Sequence, residues 1–131
     1  KKMARYDVRR VALIHENSDF GSSTAYAQKK ILKDHGFNVV ADVSYNASGL
    51  KTIKKEITAL LASKPDAVLA VTYLNDSILI VKSLAGMNSK IPFIDTAGGT
   101  VSAEFIPLTG ESSENILTSA EFSKYTDKDA Y

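Results

Sequence analysis

VALIHENSDFG, at residues 11–21, opens with four consecutive apolar residues and continues as a polar loop that contains an aromatic residue. An apolar run without alternation is typical of a strand that is covered on both faces, as in a parallel sheet. The loop leads into a helix that we expect to start at Ser22. Because open α/β sheets bind ligands at the carboxyl ends of their strands, this stretch predicts a domain that holds a small molecule.

Strand and helix patterns alternate along the rest of the chain with short connections. This alternation predicts one domain of the doubly wound α/β class, with a mostly parallel sheet, right-handed crossovers and helices on both faces. The expected strands are residues 8–15, 37–45, 67–73, 91–94 and 116–122. The expected helices are residues 22–35, a segment that Thr52 caps and that residues 64–66 stop, residues 75–86, and a short helix at 102–108. In the second helix, the spacing of Ile53, Ile57, Leu60 and Leu61 predicts one apolar face.

Glycine, proline and apolar content refine these elements. Gly36 is well placed as a left-handed cap at the end of the first helix. The third strand is apolar throughout, which favours a central place in the sheet. Pro107 and Gly110 are expected to break the short helix, and the tail at 123–131 is polar without a period.

The composition is that of an ordinary soluble domain. The chain has 131 residues, 44% of them hydrophobic, and a net charge of +1. Acidic residues dilute the basic ones, so nucleic-acid binding is not expected. No apolar stretch has bilayer-spanning length, and no signal peptide or initiator Met is present, so the start at Lys1 indicates a processed or excised segment. The absence of cysteine excludes disulfides and thiolate metal sites.

The loop after the first strand is one candidate site. Ser18, Asp19 and Phe20 lie there, just before Ser22 and Ser23. Free N–H groups at a helix N-terminus, with hydroxyls nearby, favour an anionic group of a ligand. The alternative is that Ser18, Asp19 or Ser22 only caps the helix.

Two more loops are expected at the same edge of the sheet. Tyr73, Leu74 and Asn75 lie at the end of the third strand, and an aromatic residue at each of two neighbouring strand ends makes an apolar wall with a polar handle. The alternative for Tyr73 is packing against the next helix. The fourth strand leads to residues 95–100, DTAGGT, whose glycines allow close approach of a ligand or a loop, or serve a turn.

Catalytic patterns are missing from the sequence. It has neither G-x-G-x-x-G nor the G-x-x-x-x-G-K-[ST] phosphate loop, and no G-x-S-x-G elbow surrounds Ser22 or Ser23. His15 and His35 stand alone, without metal-ligand spacing. We therefore expect no enzymatic activity, no cofactor and no metal.

Several motifs occur in a specific order: V-A-L-I-x-E-x-S-D-F-G, a helix that ends in H-G-F, K-P-D-A-V-L-A, A-G-M-x-S-K-I-P-F-I and L-T-G-E-S-S-E-N-I-L. Together they resemble the second lobe of type I periplasmic binding proteins. The resemblance is closest to the branched-chain amino acid and amide-type substrate-binding proteins of ABC transporters, and it covers residues 9–122.

The resemblance implies a two-lobed parent protein. In that family each lobe is a parallel sheet flanked by helices, and ligand is trapped between lobes that close around a hinge. Residues 1–7 would arrive from the first lobe, which this chain lacks, and residues 123–131 would lead towards the hinge. Because the first lobe supplies many ligand contacts, an isolated second lobe is expected to bind weakly or not at all.

The resemblance also implies roles for single residues. Phe20 takes the place of the aromatic clamp after the first strand, and Tyr73 or its neighbour Leu74 takes that of the second aromatic. The acidic residue that faces the amino group in amino-acid binders would fall near Ala97, where it is missing, and Asp95 replaces it only if the loop bends differently. A carboxylate or amide with an apolar body therefore fits as well as an amino acid.

The sequence thus predicts a ligand-binding lobe of a periplasmic or cell-surface solute-binding protein that captures an amino acid, amide or carboxylic acid for an ABC permease. Its site is expected to comprise Ser18, Asp19, Phe20, Tyr73, Leu74, Asn75, Asp95, Thr96 and Ala97. The alternatives are a ligand-sensing module of a receptor or transcriptional regulator with the same fold, and a flavodoxin-like cofactor enzyme.

Overall fold

The computed structural model describes residues 7–119, which form a five-stranded parallel sheet with helices on both faces. This confirms the predicted doubly wound α/β class. The strands are β1 (Arg10–Glu16), β2 (Asn38–Tyr45), β3 (Ala67–Val71), β4 (Phe93–Asp95) and β5 (Ile116–Thr118), and the helices are α1 (Asp19–Asp34), α2 (Lys54–Ala62), α3 (Leu74–Gly86) and α4 (Phe105–Thr109). The strand order is β2-β1-β3-β4-β5, so β3 is central, as its apolar sequence predicted.

The strand β1 lies between β2 and β3 and is buried along most of its length. Every residue from Val11 to Glu16 is buried, although the side chains alternate between the two faces of the sheet. Helices cover both faces, and this explains why the apolar run shows no alternation.

The helix α1 begins at Asp19, three residues before the predicted start at Ser22. Ser18 is its N-cap, and the Ser18 hydroxyl accepts the Gly21 N–H at 3.4 Å. Asp19 places a negative charge in the first turn, where it interacts favourably with the helix dipole. Phe20 therefore lies in the first helical turn rather than in a loop, which fixes its backbone.

Gly36 ends α1 as predicted. It has φ +81°, and its N–H donates to the Lys33 carbonyl at 3.0 Å. The next N–H, of Phe37, donates to the Leu32 carbonyl at 2.9 Å. This pair of bonds is the Schellman motif, which needs a residue with positive φ at this position.

The main hydrophobic core lies between the sheet and α2, α3 and α4. Ile53, Ile57 and Leu60 are fully buried on the inner side of α2, as their spacing predicted. The predicted cap of this helix was wrong. Ile53 is the N-cap without a side-chain hydrogen bond, whereas the Thr52 hydroxyl accepts the Lys54 N–H at 3.4 Å from one residue further out.

Other element boundaries also differ from the sequence-based expectation. The strand β3 ends at Val71, which leaves Tyr73 in the connection to α3. Pro107 lies inside α4 instead of breaking it, because a proline in the first turn of a helix forfeits no intrahelical hydrogen bond. The predicted last strand is confirmed up to Thr118. Ser119 is described and does not belong to β5, and residues 120–122 of the predicted strand, the tail at 123–131 and residues 1–6 lie outside the described part of the chain.

The opposite face of the sheet is only partly covered by α1 within residues 7–119. An open groove of about 430 Å³ remains beside this helix, with Leu69, Ile94 and Leu117 of β3, β4 and β5 in its lining. Leu117 is 60% exposed there. No helix in the described part of the chain is long and apolar enough to span a membrane.

Asp66 connects β1 and β3 at the amino end of the sheet. Its Oδ2 accepts the Arg9 N–H at 2.9 Å and the Arg10 N–H at 2.8 Å. These two hydrogen bonds hold the pKa of Asp66 below its usual value. The contact joins the start of β1 to the residue before β3, at the end of the sheet opposite to the predicted site.

Candidate functional site

The strand order reverses between β1 and β3, and such a switch point is where doubly wound sheets form a ligand crevice. Phe20 follows β1 and Tyr73 follows β3, so both predicted aromatic positions come to this point. Their ring centroids lie 6.4 Å apart, with the planes tilted by 31°. Each residue is about half exposed, at 51% and 50%. The structure therefore brings the two rings together and leaves about half of each residue exposed.

Glu16, the last residue of β1, holds the turn that precedes Phe20. Its carboxylate is buried and accepts the Ser18 N–H at 2.7 Å and the Ser18 hydroxyl at 2.6 Å. The backbone of Gly21 packs against the same residue: a Cβ there would lie 2.8 Å from the Glu16 carboxyl carbon. The turn thus wraps tightly around the Glu16 side chain.

The Glu16 carboxylate favours its charged form despite its burial. Desolvation is the largest single influence and would raise its pKa. The hydrogen bonds from Ser18 and the Gly21 backbone, together with the neighbouring His15, outweigh it and lower the pKa below the usual value. Glu16 is therefore an acceptor for the turn throughout the neutral range.

A second buried carboxylate holds the turn that carries Tyr73. Asp76, in the first turn of α3, accepts the Tyr73 N–H at 3.0 Å. Its other oxygen accepts a hydrogen bond from the buried Tyr45 hydroxyl at the end of β2. Burial, followed by the hydrogen bond and charge of Asp76, raises the pKa of Tyr45 strongly, so that the phenol stays protonated. This hydrogen bond joins the end of β2 to the start of α3.

A groove of about 500 Å³ opens beside Tyr73. The connection between β2 and α2 forms one wall, and the start of α3 forms the other. Leu74 is half-buried in this wall, whereas Asn75 is exposed. The groove gives the predicted residues Tyr73, Leu74 and Asn75 a common concave surface.

Asp95 is placed differently from the other predicted polar contacts. It is fully buried and accepts four hydrogen bonds: from the Thr72 hydroxyl at 3.1 Å, the Ala97 N–H at 3.3 Å, the Thr100 N–H at 2.9 Å and the Thr100 hydroxyl at 3.1 Å. Its carboxylate is thus occupied by the loop that follows β4. Among the described residues it organises this loop and presents no free surface.

The paired glycines after Asp95 serve the approach of one loop to another. Gly98 has φ +87°, as a turn requires. A Cβ on Gly99 would lie 2.7 Å from the Thr72 hydroxyl oxygen and 2.8 Å from the Thr72 carbonyl oxygen. The Gly99 carbonyl also accepts a hydrogen bond from Ser77 at 3.3 Å. Of the uses left open by the sequence, the turn and the loop contact are those that the structure displays.

Thr96 and Ala97 lie near the surface of this loop and are half-buried. The Thr96 hydroxyl donates to the Ala70 carbonyl at 3.0 Å and accepts from the Gln28 amide at 2.7 Å. Gln28 Oε1 is buried without a hydrogen-bond partner in the described part of the chain. Thr96 therefore joins β3, β4 and α1, and its role as a ligand contact stays a prediction.

Sequence reasoning missed the residues that support the site. Glu16, Tyr45 and Asp76 were not among the predicted site residues, although a signal existed for Asp76: it stands three residues after the helix N-cap, where an acidic side chain reaches back to the cap N–H. His15 does not stand alone either, since its ring lies 3.1 Å from Asp42. Residues 7–119 contain no group of three or more side chains suited to hold a metal ion.

Comparisons with known proteins agree with this geometry. The family model described as "Periplasmic binding protein" matches residues 1–131. The chain belongs to the periplasmic binding protein family. Among curated proteins, Leu/Ile/Val-binding protein homolog 7 from Brucella abortus is 30% identical over 95 residues, which are 72% of this chain and 24% of that protein.

Solved structures of other periplasmic binding proteins have the same fold. A leucine-binding protein from Thermotoga maritima superposes with a TM-score of 0.83 at 18% identity, over 91% of this chain and 33% of that one. A leucine-, isoleucine-, valine-, threonine- and alanine-binding protein from Brucella ovis, in a closed conformation, superposes with a TM-score of 0.74 at 20% identity. The match covers 81% of this chain and 27% of that one. At these identities the likeness establishes the fold.

The chain spans about a quarter, 24%, of the length of the curated relative it matches. This partial coverage fits a single lobe of a periplasmic binding protein. The relatives named here are described as binding proteins or as the homolog of one.

Proposed function

We propose that this chain is the second lobe of an extracytoplasmic solute-binding protein that captures a small organic ligand for an ABC permease. The observation that carries the proposal is the half-exposed pair of Phe20 and Tyr73 at the switch point of the sheet. Membership in the periplasmic binding protein family and the names of the relatives support it. The periplasm, or the outer face of the cell membrane, is the corresponding location.

The ligand that fits best is an amino acid, or an amide or carboxylic acid of similar size, with an apolar or aromatic side chain. The two rings offer it an apolar wall, and the exposed Ser18, Asp19 and Asn75 offer polar contacts at the rim. The Brucella ovis structure is named as a leucine-, isoleucine-, valine-, threonine- and alanine-binding protein, and the Brucella abortus protein as a homolog of a Leu/Ile/Val-binding protein, which supports a ligand of this class.

The amino group of an amino acid has no obvious partner in the loop after β4. Ala97 lacks a carboxylate, and the Asp95 carboxylate accepts four hydrogen bonds within the protein. We therefore propose that an ammonium group, where the ligand has one, is bound by the first lobe or by Asp19. An amine-free acid or amide needs no such partner and stays an equal candidate.

Binding involves no covalent step in this proposal. Ligand rests on the Phe20–Tyr73 pair, and a first lobe closes over it, which shifts the protein from open to closed forms. Leu74, Thr96 and Ala97 supply the remaining contacts on this lobe's side of the cleft.

A thermal-shift screen of the full-length protein that carries this chain tests the proposal. The compounds are L-leucine, L-phenylalanine, their amides, and the amine-free 4-methylpentanoate and 3-phenylpropanoate. A ligand at a hundredfold excess over Kd stabilises the native state by about 2.7 kcal/mol, which the screen detects. A shift with the acids alone would support the role of Ala97, whereas a shift with the amino acids alone would show that the amine has a partner elsewhere.

Phe20→Ala supplies the structural arm of this test, with Tyr26→Ala as its control. Tyr26 is also an exposed aromatic residue of α1, at 72% exposure, but it is not paired with Tyr73. Loss of the shift in Phe20→Ala and its retention in Tyr26→Ala would support the proposed cleft. Equal shifts in both variants would place the ligand elsewhere.

A further inference from the structure

The two aromatic residues of the proposed cleft share one kind of support. Phe20 lies in the first turn of α1 and Tyr73 is the N-cap of α3, and at each of these two helix starts a main-chain N–H donates to a buried carboxylate. Glu16 accepts from Ser18 at 2.7 Å, two residues before Phe20, and Asp76 accepts from Tyr73 itself at 3.0 Å. Both carboxylates are at most 5% exposed.

These carboxylates are not explained by ion pairing. Among the ion pairs of residues 7–119, none includes Glu16 or Asp76. An unpaired buried carboxylate is costly unless hydrogen bonds compensate it. Here the compensating donors are groups of Ser18 and Tyr73 and the Tyr45 hydroxyl. The conformation of each segment and the charged form of its carboxylate therefore stabilise one another.

The fit around Glu16 is tight enough to fix the turn. The Ser18 hydroxyl donates to Oε1 of Glu16 while it caps the N–H of Gly21, on the far side of Phe20. A Cβ on Gly21 would clash with the main-chain carbonyl oxygen of Glu16 as well as with its carboxylate. The backbone is thereby fixed on both sides of Phe20, at Ser18 and at Gly21, although Phe20 itself is half exposed.

We propose that Glu16 and Asp76 are positioning residues that hold the Phe20 and Tyr73 rings in place for the ligand. This rests on the proposed function, because the rings are taken as the wall of the cleft. A wall that is already formed before binding spares the ligand the cost of ordering it. The proposal differs from a purely structural role, since it ties both carboxylates to the geometry of the ring pair.

The experiment uses Glu16→Ala and Asp76→Ala in the full-length protein that carries this chain, with Asp66→Ala as the matched control. Asp66 also accepts two main-chain N–H groups, but at the opposite end of the sheet. Glu16→Gln and Asp76→Asn, which keep one acceptor oxygen each, form a second pair that serves if the alanine variants do not fold. The first readout is the nuclear Overhauser effect between the Phe20 and Tyr73 rings without ligand. The second is the Kd for the most stabilising compound of the screen.

The expected result is a weakened or lost ring-to-ring signal in the Glu16 and Asp76 variants and a Kd about tenfold or more higher, since hydrogen bonds to charged groups are among the stronger ones. The amide variants should lie between wild type and alanine, and Asp66→Ala should keep signal and Kd while losing stability. An unchanged ring signal in folded Glu16 and Asp76 variants would overturn the proposal, as would an equal loss in Asp66→Ala. Because the ring signal needs no ligand, it decides the positioning role even if no compound of the screen binds and the proposed function fails.

Discussion

At the scale of single residues, close packing at Gly21 is a constraint with a measurable cost. A Cβ there would lie 2.8 Å from the Glu16 carboxyl carbon, whereas a Cβ on Gly86 would meet nothing within 4 Å. Both glycines are helical. We expect Gly21→Ala to lower the free energy of unfolding by about 1–3 kcal/mol, as overpacking does, and Gly86→Ala to be neutral or slightly stabilising. Urea denaturation of both variants checks this, and equal effects would contradict the packing at Gly21.

Asp66 gives the fold a predictable dependence on pH. Its folded-state pKa is depressed, first by the hydrogen bond from the Arg9 N–H and then by that from Arg10. A carboxyl of this kind stabilises the fold above the pKa of the unfolded state, about 3.9, and the stabilisation is lost as the pH falls through the lower folded pKa. We expect Asp66→Asn to have a lower Tm than wild type at pH 5–7.

The same reasoning predicts that this difference in Tm shrinks as the pH falls below about 4, because the unfolded wild-type chain then binds a proton at Asp66. The stabilisation is lost once the folded protein also binds that proton, at its lower pKa, and Asp66 is then neutral like asparagine. Thermal melts of both proteins between pH 3 and pH 7 measure it. A difference that stays constant down to pH 3 would show that the hydrogen bonds do not depend on the charge.

Some single residues could be placed from the sequence and others could not. Phe20 and Tyr73 were predicted because their positions follow from strand ends, which apolar runs reveal. The burial of Asp95 was not predicted, because it depends on how its own loop folds back on the carboxylate, which supplies three donors, and on tertiary packing, which supplies the fourth from Thr72. A polar residue after a strand looks the same in the sequence whether it faces a ligand or holds a loop.

At the scale of secondary-structure elements, the starts of α1 and α2 differ in whether a hydroxyl side chain caps the helix. Ser18 is the N-cap of α1 and bonds the Gly21 N–H, but Thr52 lies one residue outside the N-cap of α2. We expect Ser18→Ala to cost about 1 kcal/mol of stability and Thr52→Ala only a few tenths, because only the first removes a true cap. Chemical denaturation of the two variants measures the difference. A larger loss of stability in Thr52→Ala than in Ser18→Ala would indicate that Thr52 caps α2, as the sequence predicted.

Element types were predictable here, whereas their ends were less so. Periodicity placed Ile53, Ile57 and Leu60 on the inner face of α2, where all three are fully buried. The start of α1 was placed three residues late, since Asp19 and Phe20 read equally well as loop or first turn. Cap geometry decides such cases, and it depends on the side chain of Glu16 behind the turn.

At the scale of the whole molecule, the chain order of the elements was enough to predict the class of the fold. Alternating strands and helices leave few topologies when crossovers are right-handed. The observed order, β2-β1-β3-β4-β5, places the ends of β1 and β3 side by side and thereby brings Phe20 to Tyr73. The depth of the proposed cleft was not predictable, because in the proposed function it depends on the surface of a first lobe.

This dependence yields a prediction for the isolated chain. In the proposed function, ligand rests on about half-exposed rings of this lobe and becomes enclosed only when a first lobe closes over it. One lobe alone forgoes the contacts of the other, and each tenfold in Kd corresponds to 1.4 kcal/mol of lost contact energy. We therefore expect the 131-residue chain to bind the most stabilising screen compound at least about a hundredfold more weakly than the full-length protein. Isothermal titration of both forms measures this, with a cooperative thermal melt as evidence that the isolated chain is folded. A folded chain with full affinity would mean that the Phe20–Tyr73 surface suffices as the site and that lobe closure adds nothing to binding.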